Sequence, residues 1–249
     1  MKRVLTALLL ILSASLRAQA PEPARLPGEP HHHLKIDNEY IRAYFVEVPP
    51  RDETQLHQHD HDYIFVSLGP ADVINAVLNK PEIHLVLKDG ETHFTRGSFA
   101  HVARNLSDAP FRNITIELLK PQGEARNLCA QIVFGAATGA CDKPQGSADQ
   151  ERGFSVEPQL ETDEAHLDLV RFGSHSASAK VALPAESLLI ALGDSEIQVF
   201  LDGKSVKTLR GGEFTWLDPG SNGAVSNLSK KPANYLQLSF KDLGASPKR

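Results

Sequence analysis

Eight residues, LHQHDHDY from Leu56 to Tyr63, hold three histidines and two aspartates. Imidazole nitrogens and carboxylates ligate metals and also move protons near neutral pH. The stretch therefore suits a metal site, a proton-transfer site or a solvated polar loop. Side chains of a β-strand alternate between its two faces. On a strand, His57, His59, His61 and Tyr63 share one face, while Gln58, Asp60 and Asp62 take the other. Further on, GSFAHVARN adds His101, four residues before Asn105. Whether these imidazoles meet in a cavity or face water is decided by the elements that carry them.

Those elements read as short strands. EYIRAYFVEVPP, DYIFVSLG, ADVINAVLN, EIHLVLKDG and APFRNITIELL follow one another, separated by Gly, Pro, Asn and Asp turns. Helical periodicity is confined to a candidate turn around residues 124–132. Many short strands at such spacing predict an antiparallel sandwich or barrel.

The second half repeats the first. NLSDAP from Asn105 recurs as NLSKKP from Asn227, an offset of 122 residues. The same offset pairs Gly90-Glu91 with Gly212-Glu213, and Phe94 with Trp216. It also aligns Ile114, Ile116 and Leu118 with Leu236, Leu238 and Phe240, each set alternating with polar residues as an inward strand face does. Upstream, Leu68-Gly69 matches Leu192-Gly193 at an offset of 124.

The chain opens with Lys2 and Arg3, an apolar stretch from Val4 to Leu12, and a small-x-small exit at Ala18-Gln19-Ala20. This predicts a cleaved Sec-type export signal, and hence a periplasmic or secreted protein of 229 residues. In an oxidising compartment Cys129 and Cys141 are expected to bond, closing a loop worth roughly 3 kcal/mol in the chain-entropy model. A net charge of −5 with no basic run excludes nucleic acid and an anionic membrane surface as partners. The stretch 21–33, ending in three histidines, reads as a flexible lead-in with His31, His32 and His33 solvated.

LHQHDHDYIFVSL resembles the first cupin motif, in which two histidines separated by one residue precede an acidic ligand. GSFAHVARN resembles the second, in which a histidine stands four residues before an asparagine. The resemblance covers residues 34–120 directly and 160–241 through the repeat. It implies an all-β protein of two tandem cupin-type jelly-roll barrels, joined by a connector over 121–159 and followed by a tail over 242–249. It also implies a divalent transition metal (Fe, Mn, Zn, Ni or Cu) held inside the first barrel by His57, His59 and His101. The acidic ligand is missing. Tyr63 stands where the family most often has Glu, as a fourth ligand or a hydroxyl beside the metal. His61 on the same face is a further ligand or a proton carrier, and both His61 and Tyr63 are the candidate catalytic residues. Proton competition for imidazoles with a free pKa near 6.5 predicts metal occupancy falling through about pH 6.

The second copy lacks this equipment. His57 and His59 fall on Val181 and Leu183, and His101 on Gly223. That unit then supplies a packing face that a single-barrel relative would take from a partner subunit, or caps the first pocket. The resulting molecule is a monomer with pseudo-dimeric repeats or a homodimer. Three neutral imidazoles leave a divalent ion its full charge, which favours bidentate anionic substrates. The implied function is a metal-dependent oxygenase-type enzyme acting on a small organic molecule. The alternatives are an exported module that captures a sugar or organic acid without turnover, and a structural protein with a relic metal site.

Overall fold

The computed structural model describes residues 22–128, 132–134, 137–138, 147–149, 153–174, 180–183, 186–218 and 222–241. The leader over 1–20, Cys129, Cys141 and the tail over 242–249 lie outside the described residues. No helix among the described residues is long and apolar enough to cross a membrane.

The described strands form four sheets. One contains Thr92–Thr95, Asp62–Ser67, Phe111–Leu118, Ile41–Val48 and His32–Asp37 in that order, extended past Thr92–Thr95 by Ile132–Phe134 and Ala137–Thr138. With it goes a sheet of Ala24–Arg25, His57–His59, Phe99–Asn105, Ala71–Val77 and Ile83–Leu87. The second half repeats both orders. Phe214–Leu217, Ser187–Leu192, Ala233–Phe240 and Ala165–Phe172 match the first, and Val181–Leu183, Gly223–Ser226, Glu196–Leu201 and Lys204–Arg210 match the second. The molecule is two tandem jelly-roll barrels, each a pair of mainly antiparallel sheets around its own interior.

The repeated asparagines act alike. Asn105 Nδ2 donates to the carbonyls of Val48, Pro49 and Ala109, and its Oδ1 accepts from Ser107 N. Asn227 Nδ2 donates to the Lys231 carbonyl, and its Oδ1 accepts from Ser229 N. Each buried amide thus pairs with backbone groups of the turn beside a strand end.

The alternation in Phe111–Leu118 has a different meaning from the one the sequence suggests. Ile114, Ile116 and Leu118 do not face their own barrel. They pack with Ile64 and Val66 against Leu188, Ile190, Leu236 and Leu238, forming an apolar core between the two barrels. Asn113, Thr115 and Glu117 are the residues that point inward, and all three are buried. The strand is covered on both faces, with its polar side turned toward the interior. The second barrel therefore supplies a packing face, as the sequence allows. Among the described residues, none of the second barrel lines the first pocket, whose lining lies between His32 and Thr115.

Two expectations give way. Where a turn of helix is expected around residues 124–132, the described residues form the strand Ala125–Asn127, which pairs with Phe154–Thr162. The stretch 21–33 is not a flexible lead-in: Ala24 and Arg25 pair in parallel with His57 and Gln58, and Leu26–Gly28 makes a 3₁₀ turn with Leu26 buried. Only His33 of the three histidines is exposed, whereas His32 is buried at 9% exposure.

Candidate metal centre

The strand His57–His59 pairs antiparallel with Phe99–Asn105, with His57 directly opposite His101. Directly opposed residues on one face bring their side chains together. The ring centroids of His57 and His101 lie 4.5 Å apart, and His59 lies 5.1 Å from each of them. One nitrogen of each ring lies within 4.8 Å of the others. His59 Nε2 and His101 Nε2 are 3.1 Å apart. Two nitrogens each about 2.0–2.1 Å from one ion and roughly at right angles are separated by about 3 Å.

The outer nitrogens are fastened to the fold. His57 Nδ1 lies 2.8 Å from the Gln55 carbonyl, and His101 Nδ1 lies 2.7 Å from Asn75 Oδ1. Both partners only accept, so both Nδ1 atoms donate and each Nε2 keeps a lone pair. His57 Nε2 and His59 Nδ1 are buried without a hydrogen-bond partner. Buried polar atoms are otherwise almost always paired, so the unpaired lone pair of His57 Nε2 fits a bound cation, whereas His59 Nδ1 is the nitrogen that its ring does not turn to His101.

Burial sets the charge state. Desolvation, with His32 next in weight, brings the His57 imidazole down to about 4. Desolvation followed by the neighbouring imidazoles holds His59 and His101 well below the usual value. At neutral pH the cluster is uncharged and its lone pairs are available to a metal.

The other predicted residues separate. Tyr63 reaches the site: its ring stacks on His59 with centroids 4.1 Å apart and an interplanar angle of 16°. Burial pushes its phenol up to about 12, against a hydrogen bond with Thr95. His61 does not reach it. The ligand strand ends at His59, and the chain turns at Asp60 and His61 into Asp62–Ser67 of the other sheet, so two-residue parity stops there. Asp60 accepts from Gln58, and Asp62 is taken by Arg96 and the Gly97 amide, so neither carboxylate joins the cluster.

A fourth imidazole, read as solvated from the sequence, does belong here. The His32 ring lies 4.8 Å from His57 and 6.4 Å from His59. Its Nδ1 lies 2.5 Å from Oε2 of Glu29, a carboxylate that is 2% exposed. The signal in the sequence was Glu29-x-x-His32, but a proline-rich setting hid the strand that buries it.

The histidines line a cavity of about 60 Å³. Val46, Val48, Val73, Leu87 and Phe111 give it an apolar wall, relieved by Asn75, Asn113 and Thr115. An adjoining hollow of about 540 Å³ shares Tyr63, Phe65, Asn75 and Leu85 with it. The cations of this outer chamber are Lys80 and Arg96, and its lining holds no acidic residue. Arg96 is occupied by Asp62 and the Gly123 carbonyl, whereas the exposed Lys80 ammonium has no partner among the described residues.

The second barrel is filled instead. Val181, Leu183 and Val225 pack with Leu189, Val199 and Tyr235. Opposite Val181–Leu183 the register places Val225 where His101 stands, because Val181 pairs with Val225 and Leu183 with Gly223. Opposite Glu196–Leu201, Gly223 pairs with Leu201 as His101 pairs with Val77. Neither Val225 nor Gly223 offers a donor side chain.

No protein-family model matches the sequence, and no curated protein matches it. Solved structures match its fold. The E. coli protein Ylba aligns at 9% identity with a TM-score of 0.62, over 91% of this chain and 90% of that one. A cupin 2 conserved barrel domain protein from Leptotrichia buccalis aligns at 11% identity with a TM-score of 0.55, over 84% and 88%. Salicylate 1,2-dioxygenase from Pseudaminobacter salicylatoxidans aligns at 11% identity with a TM-score of 0.58, over 84% and 75%, and also matches as adducts with gentisate. At these identities the likeness establishes the cupin fold.

Proposed function

We propose that this is an exported metal-binding cupin, an enzyme of the metal-dependent oxygenase type that acts on a small organic anion. The observation that carries the reading is the convergence of three neutral, buried imidazoles with no carboxylate among them. His57, His59 and His101 would hold the ion, which would supply Lewis-acid polarisation and, if iron or manganese, access to oxygen chemistry. The fold of a dioxygenase among the matched structures supports this class of chemistry. The basic start, short apolar stretch and small-residue exit of the first twenty residues support export.

This chain's own residues bind and exclude. The aliphatic wall of the cavity sheds water, so electrostatic contacts inside it are stronger than in bulk. Lys80, unpaired at the outer chamber, attracts an anion toward the cluster. Tyr63 holds the face of His59 and keeps its own proton at neutral pH. The small volume near the histidines fits the reactive end of a substrate, with the remainder in the outer chamber.

The test is elemental analysis of the protein loaded with Fe(II) and Mn(II), followed by oxygen consumption with enediols, diketones, amino-thiols and hydroxybenzoates. One metal per chain with oxygen uptake on one of these classes is expected. Stoichiometric metal with ligand capture and no turnover would favour the binding-module reading. A folded protein that takes up no metal would overturn both.

A further inference from the structure

Glu29 and His32 form a buried pair beside the three-histidine cluster that no metal ligand set requires. Glu29 accepts three hydrogen bonds: from His31 N at 2.8 Å, from Gln55 N at 3.1 Å and from His32 Nδ1 at 2.5 Å. Burial alone would raise its carboxyl, but the His32 hydrogen bond and charge and the two amides hold it below its ordinary value. An ionised carboxylate only accepts, so His32 Nδ1 is the donor, and Nε2 is the ring nitrogen left to meet a ligand. That nitrogen has no protein partner among the described residues, and the ring lines the cavity. The Gln55 amide bound by Glu29 belongs to the residue whose carbonyl fixes His57. One carboxylate thus sets the position of His32 and of the segment that carries His57.

We propose that His32, held in one tautomer by Glu29, is a specificity-determining contact that accepts a hydrogen bond from a hydroxyl of the molecule bound at His57, His59 and His101. The ligand class that follows is a small hydroxylated carboxylate: the anionic end meets the cluster and the hydroxyl meets His32 Nε2. A site that pairs a hydroxyl discriminates strongly against an analogue lacking it, because the bound analogue covers the acceptor and leaves it unsatisfied.

The inference rests on the proposed metal site, and one experiment separates the two. The full-length protein is loaded with Co(II), and glycolate and methoxyacetate are titrated against its visible absorption. Methoxyacetate carries a methyl group in place of the hydroxyl proton, so it keeps the oxygen and loses the donor. The His32→Gln variant, which keeps a side chain of similar length, separates that loss from the added bulk. Wild type is expected to favour glycolate by tenfold or more. His32→Ala is expected to erase that preference while Co(II) affinity stays within about threefold. His32→Gln, whose amide oxygen still accepts, is expected to restore part of it, and Glu29→Gln to reduce it by freeing the tautomer. Normal Co(II) uptake with an unchanged preference in His32→Ala would overturn the inference alone. No Co(II) uptake by wild type would overturn the metal site and the inference with it.

Discussion

His101 Nδ1 lies 2.7 Å from Asn75 Oδ1, on the neighbouring strand Ala71–Val77. A carboxamide oxygen cannot donate, so Asn75 fixes the tautomer of His101 and turns its Nε2 lone pair toward His59. Partners of this kind orient a ligand and raise its basicity. Asn75→Ala is expected to weaken metal binding by roughly 10- to 100-fold with the fold unchanged. Asn75→Asp keeps an acceptor in place and should retain affinity. Isothermal titration with Zn(II) and circular dichroism check both, and wild-type affinity in Asn75→Ala would dismiss the role.

The asymmetry between the barrels sets the metal count. His59→Ala and His101→Ala are each expected to abolish occupancy without unfolding the chain, because the interbarrel core and the second barrel keep their packing. Leu183, 7% exposed in the second barrel, should behave oppositely. Leu183→Ala is expected to cost about 2–5 kcal/mol of stability and leave metal content at one per chain. Elemental analysis and denaturant melts of the three variants decide it, and two tightly held ions per wild-type chain would refute the assignment.

Much of this was legible in the sequence, and the failures have physical causes. The repeat and the short alternating strands indicated two like barrels, since turn residues and two-residue alternation are local properties. His57, His59 and His101 were found through the resemblance of LHQHDHDYIFVSL and GSFAHVARN to the two cupin motifs, which stay compact because the ligands of each lie on a single strand. Parity failed at His61, where the chain changes sheets, a tertiary event that local alternation does not record. The facing of Ile114, Ile116 and Leu118 was inverted because a strand with a polar interior on one side and a neighbouring barrel on the other has the same pattern as a half-buried one. His32 and Glu29 were missed because polar residues beside prolines read as solvated until something distant covers them.

Stability of the metal-free protein should depend on pH with two opposed contributions. The His57 value falls from 6.5 to about 4 on folding, chiefly by desolvation. Below pH 6.5 the unfolded chain takes up a proton that the folded chain refuses, so stability falls as pH drops toward 4, by about 3 kcal/mol for this group alone. His59 and His101 slope the same way. Glu117 slopes the other way: desolvation lifts its carboxyl from 4.5 to about 7, with Arg42 opposing. Stability from its bound proton is present below pH 4.5 and lost as pH rises through 7. Glu117→Gln is expected to flatten the melting temperature between pH 5 and 8 on the alkaline side and leave the acid limb intact. Thermal melts across pH 4–8 measure this, and an unaltered alkaline limb would rule Glu117 out. The same depressed imidazoles move metal release below the pH 6 expected of free histidine, because protons compete only near each ligand's own value.

Gly97 provides the last test, because it holds the corner where the ligand strand ends. A Cβ at this position would stand 2.4 Å from the His61 carbonyl carbon and 2.5 Å from its oxygen, both backbone atoms that no rotamer change can move aside. The next residue, Ser98, donates its amide to the His59 carbonyl at 2.7 Å. A methyl group at Gly97 must therefore push the Asp60–His61 turn outward and draw on the bond that anchors His59. Gly97→Ala is expected to cost about 1–3 kcal/mol of stability, as overpacking does, and also to weaken metal binding by tenfold or more. The paired loss is the distinctive outcome: Leu183→Ala should lower stability with metal affinity preserved, and Asn75→Ala should lower affinity with stability preserved. Denaturant melts and metal titrations on the three variants together measure it. A Gly97→Ala protein with wild-type affinity would show that the turn can shift without moving His59, and the coupling between corner and ligand would be lost.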